Sequence, residues 1–183
     1  VASTTVSKGT ALDVSTIFEL AVMIRIGRRS GSAFTGNWPN VRIDGSVKTS
    51  GDNSWIPIYS YQPLIGASIA NTTLSSGITA ADATFAVTSA TNLAVGDLVF
   101  VGDSTASNYE VFRIKTISGT TITPEDAAVN NHASGAIVTN QADIVAQSLG
   151  VQGFQRVRAV VDNANSGRDI SVEVLAGSFD SVG

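Results

Sequence analysis

The stretch that decides the fold class is Ile17-Phe18-Glu19-Leu20-Ala21-Val22-Met23-Ile24-Arg25-Ile26. Apolar side chains recur along it at every second position, which is the period of a β-strand. Its central part would also suit a buried helix, but its β-branched residues and the Gly27 that follows favour a strand. We therefore predict one long, buried strand here.

Strand-like alternation continues on both sides of this stretch. Residues 41–47 and 55–59 alternate around a polar turn that contains Gly51, and this pattern predicts a hairpin. Residues 156–161 and 170–175 also alternate strongly on either side of a turn rich in Gly, Asn and Asp, which predicts a second hairpin.

The composition favours short strands and tight turns over surface helices. Only 14% of the residues are charged, while 17 of the 183 are Gly and Ser, Thr, Ala and Val recur throughout. With 43% apolar residues, the chain can build one ordinary core, or a main domain with a smaller one inserted. We therefore predict an all-β protein with at most two compact units.

The middle of the chain differs from its two ends. From residue 67 to residue 141, charged residues become scarcer, and Thr, Ser and Ala dominate around apolar residues such as Leu74 and Phe85. We predict that residues 67–141 form an inserted small β-domain. The segments 1–66 and 142–183 are then expected to form one discontinuous β-sandwich, the C-terminal strands completing what the N-terminal strands begin.

Several classes of function are disfavoured by charge and composition. The formal net charge is −4 and the pI about 4.8, so the chain has no excess of cations with which to neutralise nucleic-acid phosphates. It has no Cys, which excludes disulfides, thiolate nucleophiles and Cys-based zinc sites. The longest apolar stretch, Leu20 to Ile24, is too short for a membrane span, so a soluble protein with no membrane partner is expected.

The basic cluster Arg25, Arg28 and Arg29 lies where a predicted strand runs into a loop. A cluster in this position is interpreted as a solvated strand end, because charged residues in loops are mostly exposed.

The residues that commonly carry catalysis do not form a recognisable pattern. His132 is the only histidine, and it is expected in an exposed turn without an orienting carboxylate. The candidate acid and base residues Asp97, Asp103, Glu125 and Asp126 are interpreted as turn residues at strand ends. We therefore predict a non-enzymatic protein with no catalytic, cofactor-binding or metal-binding residues.

Two loops show only a superficial likeness to ligand-binding motifs. Residues 162–169 offer several oxygen ligands, but the third position of a calcium loop would be Ala164, which has no side-chain oxygen. The stretch Gly150-Val151-Gln152-Gly153 is too short for a dinucleotide-binding fingerprint. Both are interpreted as turns.

Four aromatic residues, Trp38, Trp55, Tyr59 and Tyr61, would suit a platform for stacking sugars. Trp55, Tyr59 and Tyr61 have the same parity along one predicted strand, which places them together on one face of a sheet. We interpret them as core and edge aromatics.

Two parts of the sequence resemble virion proteins of tailed bacteriophages. Residues 72–87, 92–101 (Asn92-Leu93-Ala94-Val95-Gly96-Asp97-Leu98-Val99-Phe100-Val101) and 132–138 resemble a small β-domain that recurs in such proteins. The flanking residues 45–58 and 156–174 are similar to the jelly-roll-like sandwich of phage head decoration proteins.

The resemblance implies a capsid decoration, or cement, protein: a jelly-roll-like β-sandwich with an inserted small β-barrel-like domain. Such a protein would be made in the host cytoplasm and would bind the outer surface of the expanded head at junctions between subunits of the major capsid protein. A second copy of the same chain, in a homo-oligomer, is a further candidate partner. The Ser/Thr-rich arm, residues 1–10, would either order along a neighbouring subunit or fray.

Three alternatives use the same fold class. A phage tail, baseplate or head-fibre accessory protein would carry the same domains at another place in the virion. A carbohydrate-binding module would need Trp38 and Trp55 side by side and accessible to solvent. A glycan-cleaving virion hydrolase would need two carboxylates that face each other in a cleft.

Overall fold

The computed structural model describes residues 6–28, 39–63, 69–103, 108–163 and 169–180, and all regular elements within them are β-strands. The predicted all-β class is therefore confirmed. The strands are β1 (Val6–Lys8), β2 (Leu12–Asp13), β3 (Ile17–Arg28), β4 (Asn40–Ser46), β5 (Trp55–Tyr61), β6 (Asn71–Thr73), β7 (Phe85–Ala86), β8 (Leu98–Gly102), β9 (Tyr109–Ser118), β10 (Thr121–Pro124), β11 (Ile137–Thr139), β12 (Ala142–Gly150), β13 (Arg156–Asp162) and β14 (Ile170–Asp180).

Two antiparallel sheets form a sandwich around one core. The larger sheet has the strand order β1-β13-β4-β5, with β2 also paired to β13, and the smaller sheet has the order β12-β3-β14. The inward-facing side chains of both sheets pack into a single cluster. Its buried members are Val14, Leu20, Val22, Ile24, Ile26, Val41, Ile43, Leu149, Val151, Val157, Val161 and Ile170.

Strand β3 is the central strand of the smaller sheet, and it contains the stretch that decided the fold class. Leu20, Val22, Ile24 and Ile26 point into the core and are at most 2% exposed, while the residues between them are only partly buried. The prediction of a long, buried strand is confirmed. Its period of two arises because successive side chains of a strand point to opposite faces of the sheet.

One predicted hairpin is present and the other is wrong. Strands β4 and β5 pair through a turn in which Gly51 has a φ of 81°, a conformation that favours glycine. Strands β13 and β14 do not pair with each other, because β13 pairs with β4 in one sheet and β14 with β3 in the other. The two strands therefore belong to different sheets, and both bury an apolar face in the same core.

The segment between β5 and β12 forms a third sheet with a core of its own. Its strand order is β6-β11-β8-β9-β10-β7, and a β-bridge between Leu74 and Val87 joins the two ends, so the sheet closes into a small barrel. The tight turn between β9 and β10 has Gly119 at a φ of 59°. The buried members of the barrel core are Leu74, Ile78, Phe85, Val87, Val99, Val101, Phe112, Ile114, Ile122, Ala128, Ala136 and Val138.

Strands from both ends of the chain share the two sheets of the sandwich. Strand β12 pairs with β3, and β13 pairs with β4 and β1. Part of the N-terminal arm therefore lies on its own chain: Val6 to Lys8 pair with residues 160–162 instead of extending to a neighbour. Residues 1–5 of that arm lie outside the described residues.

Candidate interaction surfaces

The barrel and the sandwich meet at a tightly packed seam. Phe100 of β8 is fully buried, and its ring stacks on Tyr109 with the ring centroids 5.6 Å apart. Strand β3 approaches this ring at Gly27, where an added Cβ would come within 2.1 Å of the Phe100 ring. The two units can approach this closely only because position 27 has no side chain.

A buried arginine binds the two units together beside this seam. Arg28, at the end of β3, has no exposed surface. Its guanidinium donates to the side-chain oxygen of Asn71 on β6 over 2.9 Å and to the hydroxyl of Thr139 on β11 over 3.1 Å. Hydrogen bonds from a charged group are stronger than neutral ones, so Arg28 fastens the barrel to the sandwich.

The interpretation of the basic cluster as a solvated strand end is wrong for Arg28. The barrel covers this end of β3, and this contact with a distant part of the chain leaves no mark in the local sequence pattern. Arg25 does remain partly exposed, and it forms an ion pair with Glu173 at 3.2 Å. Arg29 lies outside the described residues.

The expectation that His132 is an exposed loop residue without a carboxylate partner is also wrong. The residue is 3% exposed, and its Nε2 lies 2.9 Å from Oε2 of Glu110. A second carboxylate, that of Asp103, lies 3.9 Å from its Nδ1. A β-bridge between His132 and Ile78 holds the turn that contains His132 against the barrel.

The pair of His132 and Glu110 has the composition of a catalytic dyad, and it is enclosed and bonded to a loop. The His132 side chain has no exposed surface. Glu110 also accepts the backbone N–H groups of Val129 and Asn130, over 2.7 and 3.0 Å. Sequence reasoning missed Glu110 because it is 22 residues away on β9; its one signal was a carboxylate among the apolar residues of a strand.

The other candidate carboxylates are engaged locally. Asp97 accepts the backbone N–H of Ala94 over 3.0 Å, which is the turn role predicted for it. Glu125 lies 3.8 Å from the guanidinium of Arg113 in an exposed ion pair. Asp103, besides its position near His132, accepts a hydrogen bond from Asn108.

The side chains of Glu110, Asp126 and Glu173 line a crevice of about 370 Å³ between the barrel and the sandwich. Two of them have protein partners: Glu110 binds the loop described above, and Glu173 pairs with Arg25. Burial and the nearby Glu173 raise the pKa of the Tyr109 phenol, which lines the same crevice.

Metal binding has no support within the described part of the chain, where no three His, Cys, Asp or Glu side chains are grouped to hold an ion. The turn at residues 162–169, considered as a calcium loop, is described only at its ends, because residues 164–168 lie outside the described ranges.

The prediction that Trp55, Tyr59 and Tyr61 share one face is wrong for Trp55. The pairing of β4 with β5 shifts by one residue between Ile43 and Asp44, which marks a β-bulge. An extra residue in one strand reverses the side-chain parity beyond it. Tyr59 and Tyr61 therefore pack against the sandwich core, while Trp55 points to the opposite face.

On that outer face, two arginine side chains and one carboxylate of the protein contact the Trp55 side chain. The guanidinium groups of Arg156 and Arg158 lie 4.8 and 4.1 Å from its centroid, and its indole N–H donates to Asp52 over 3.0 Å. Hydrogen bonds from Trp55 and Arg158 lower the pKa of the Asp52 carboxyl. A sugar would have to displace these cations to stack on Trp55, and Trp38 lies outside the described residues.

The outer face of the smaller sheet is covered by the barrel at one end and open at the other. Gly27 lies under the barrel, whereas the opposite half of the face forms a groove of about 680 Å³ with an apolar lining. Small and apolar side chains line this groove, among them Ala21, Met23, Ala146 and Leu175. Open apolar surface of this kind is typical of a contact site.

No protein-family model matches the chain, and no curated protein matches its sequence. In the described ranges there is also no helix with the length and apolar character that a membrane crossing requires.

Proposed function

We propose that the chain is a non-enzymatic structural protein of a virus particle, a decoration protein on the outer surface of an expanded phage capsid. Its partner is the major capsid protein, whose subunits it holds together where they meet. The observation that carries this proposal is the buried seam of Phe100, Gly27 and Arg28, which joins two β units into one block. A protein that stiffens a shell must transmit force between its contacts, and a flexible linker would not.

The side chains that could act as an acid or a base support a non-catalytic role, because they bind other parts of the same chain. His132 is enclosed and Glu110 binds a loop, while Glu173 is paired with Arg25. General acid and base groups must reach a substrate, and the side chain of His132 has no surface with which to do so.

The sequence resemblance supports the location on the head. The resembling residues in 72–138 lie in the barrel, and those in 45–58 and 156–174 lie in sandwich strands β4, β5, β13 and β14. A tail or baseplate protein would use the same two units, so the alternatives must be separated by experiment.

The experiment is co-sedimentation of the purified chain with expanded heads of the virus that encodes it, assembled without this protein. We expect saturable binding at a fixed ratio to the major capsid protein, and decorated heads that resist heat or osmotic shock better than bare heads. Unexpanded heads are the matched control, since they consist of the same subunits in a different arrangement, and we expect them to bind little.

Binding to tails or to glycans in place of heads would overturn the head location. Equal binding to both kinds of head, without any gain in shell stability, would overturn the cement role. Release of new reducing ends from glycans on mixing would contradict the non-enzymatic assignment.

A further inference from the structure

Strand β14 forms an edge of the smaller sheet, and half of it lacks the features that usually protect an edge. From Val174 to Ser178 it has no charged residue and no Pro, and its pairing with β3 is regular there. Leu175 is 43% exposed, and the three residues after it are also exposed. Natural sheet edges normally carry Lys, Pro or a bulge, because a bare edge pairs with other strands.

The other edge of the same sheet, β12, is more polar in its exposed half. Its exposed half contains Gln147 and Ser148, and Ser148 bonds to Glu19 on β3. At its other end, Asp143 accepts the phenol of Tyr61 from the larger sheet. The two edges of one sheet therefore differ in kind, and β14 is the one suited to a contact.

Both faces of the bare half of β14 are apolar. On the outer face Leu175 lines the groove of about 680 Å³. On the inner face Val174 and Ala176 line a second space of about 240 Å³, together with Leu12 of β2. An added strand would therefore gain apolar contacts on both of its sides, in addition to backbone hydrogen bonds.

We propose that the occupant of this edge is β14 of a second copy of the chain, paired antiparallel about a two-fold axis at Ala176. In this register, Leu175 of each copy faces Gly177 of the other, so that a large side chain meets a position without one. Val174 faces Ser178, and Ala176 faces its own equivalent. Each contact of this pairing therefore occurs twice: Leu175 of the first copy faces Gly177 of the second, and Gly177 of the first faces Leu175 of the second. Two-fold symmetry requires this repetition.

Charge does not oppose a second copy as the occupant of this edge. The net charge of −4 makes two copies repel each other in general, but no charge lies between Val174 and Ser178. The nearest charged residue on the N-terminal side, Glu173, would face residue 179 of the other copy, which is Phe. The proposed pairing thus brings no like charges opposite each other, an arrangement that would destabilise a strand pair.

This dimer is independent of the proposed capsid role, and it is testable without a capsid. The chain has no Cys, so a single introduced cysteine reports on one contact. We expect Ala176→Cys to form a disulfide-linked dimer under mild oxidation at low protein concentration, because the two-fold axis brings both thiols together. Gln147→Cys, at an exposed position on the opposite edge, is the matched control and should stay monomeric.

A second pair of variants tests the dimer without a covalent bond. An added Cβ at Gly177 meets no atom within 4 Å, so Gly177→Lys should leave the folded chain intact while placing a cation against Leu175 of the partner. Sedimentation velocity should show that this change weakens dimerisation about tenfold or more, whereas Gln147→Lys leaves it unchanged.

Three results would overturn the proposed dimer. They are a wild-type chain that stays monomeric up to millimolar concentration, an Ala176→Cys variant that cross-links no faster than the control, and a Gly177→Lys variant that dimerises normally. If the chain is monomeric but Gly177→Lys abolishes binding to heads, the edge receives a strand of the capsid subunit instead.

Discussion

The barrel and the sandwich solve the problem of sheet edges in different ways. In the barrel the first and last strands of the sheet are joined, because Ser75 donates its backbone N–H to Ala86 and Thr88 donates to Thr73. In the sandwich the smaller sheet ends at β12 and β14. Closure removes the edges of a sheet, whereas an open sandwich must protect or use them. The comparison indicates that the barrel is a sealed unit and the sandwich the unit with strand edges to offer.

The two units also differ in where their buried polar groups act. Glu110 and His132 hold a loop within the barrel, while Arg28 reaches from the sandwich into the barrel. The seam is therefore the place where the two units depend on each other, and its residues should matter most for the stability of the whole chain.

The largest effect is expected for Phe100→Ala at the seam. Removing a fully buried Phe should lower the free energy of unfolding by about 3–5 kcal/mol, as judged by urea denaturation. The control is Phe18→Ala, the same change at a residue that is 49% exposed, which should cost about 0.5 kcal/mol or less. Similar losses for the two variants would mean that the seam is not packed as described.

The next effect compares two arginines of β3 that lie three residues apart. Arg28→Met keeps the apolar stem but loses the bonds to Asn71 and Thr139, at a cost of about 1.5–3 kcal/mol in the free energy of unfolding. Arg25→Met breaks a partly exposed ion pair and should cost about 1 kcal/mol at most. Chemical denaturation measures both losses in the free energy of unfolding. A larger loss for Arg25→Met than for Arg28→Met would contradict the role of Arg28 in joining the two units.

A smaller loss is expected inside the barrel, where His132→Leu removes the bond to Glu110. The cost should be about 1–2 kcal/mol, with faster hydrogen exchange at the amides of Val129 and Asn130, whose acceptor loses its partner. Glu125→Gln, in an exposed ion pair of the same barrel, should leave both quantities nearly unchanged. An unchanged loop in His132→Leu would show that the imidazole does not hold it.

The smallest effect concerns Tyr61, which joins the two sheets of the sandwich. Burial, together with the bond to Asp143, raises the pKa of its phenol above the ordinary value of 10.0. The folded chain therefore keeps a proton that the unfolded chain releases, so this contribution to stability is complete below pH 10 and decreases as the pH rises beyond it.

Tyr61→Phe should cost about 0.5–1.5 kcal/mol at neutral pH, and the difference between wild type and variant should shrink above pH 10. Thermal unfolding of both proteins between pH 8 and about 11 measures this difference, and taking the difference removes the titration of the other tyrosines. A difference that stays constant over this range would contradict the raised pKa.

The sequence predicted those features that depend on local pattern. The period of two along β3 and the Gly-containing turn between β4 and β5 each correspond to an observed element. Side-chain alternation and turn chemistry are set by neighbouring residues, so one chain is enough to read them.

The predictions that failed depend on contacts between distant parts of the chain. Alternation in β13 and β14 shows that both are strands but does not show which sheet each joins. The bulge in β5 depends on its pairing with β4 and reversed the face of Trp55. Arg28 lies where a strand runs into a loop and His132 lies in a turn, and both positions favour exposure to solvent. The groups that bury the two side chains lie 22 or more residues away.

Hydrogen exchange, followed amide by amide at two protein concentrations, tests most directly whether contacts between chains are made by the β14 edge and not by the barrel. In dilute protein we expect slow exchange in barrel strands β8, β9 and β11, and fast exchange at the outward amides of residues 174–178. At high concentration these β14 amides should become protected, while those of β12 should not change. Protection of β14 in dilute protein, or no protection at any concentration, would contradict the account.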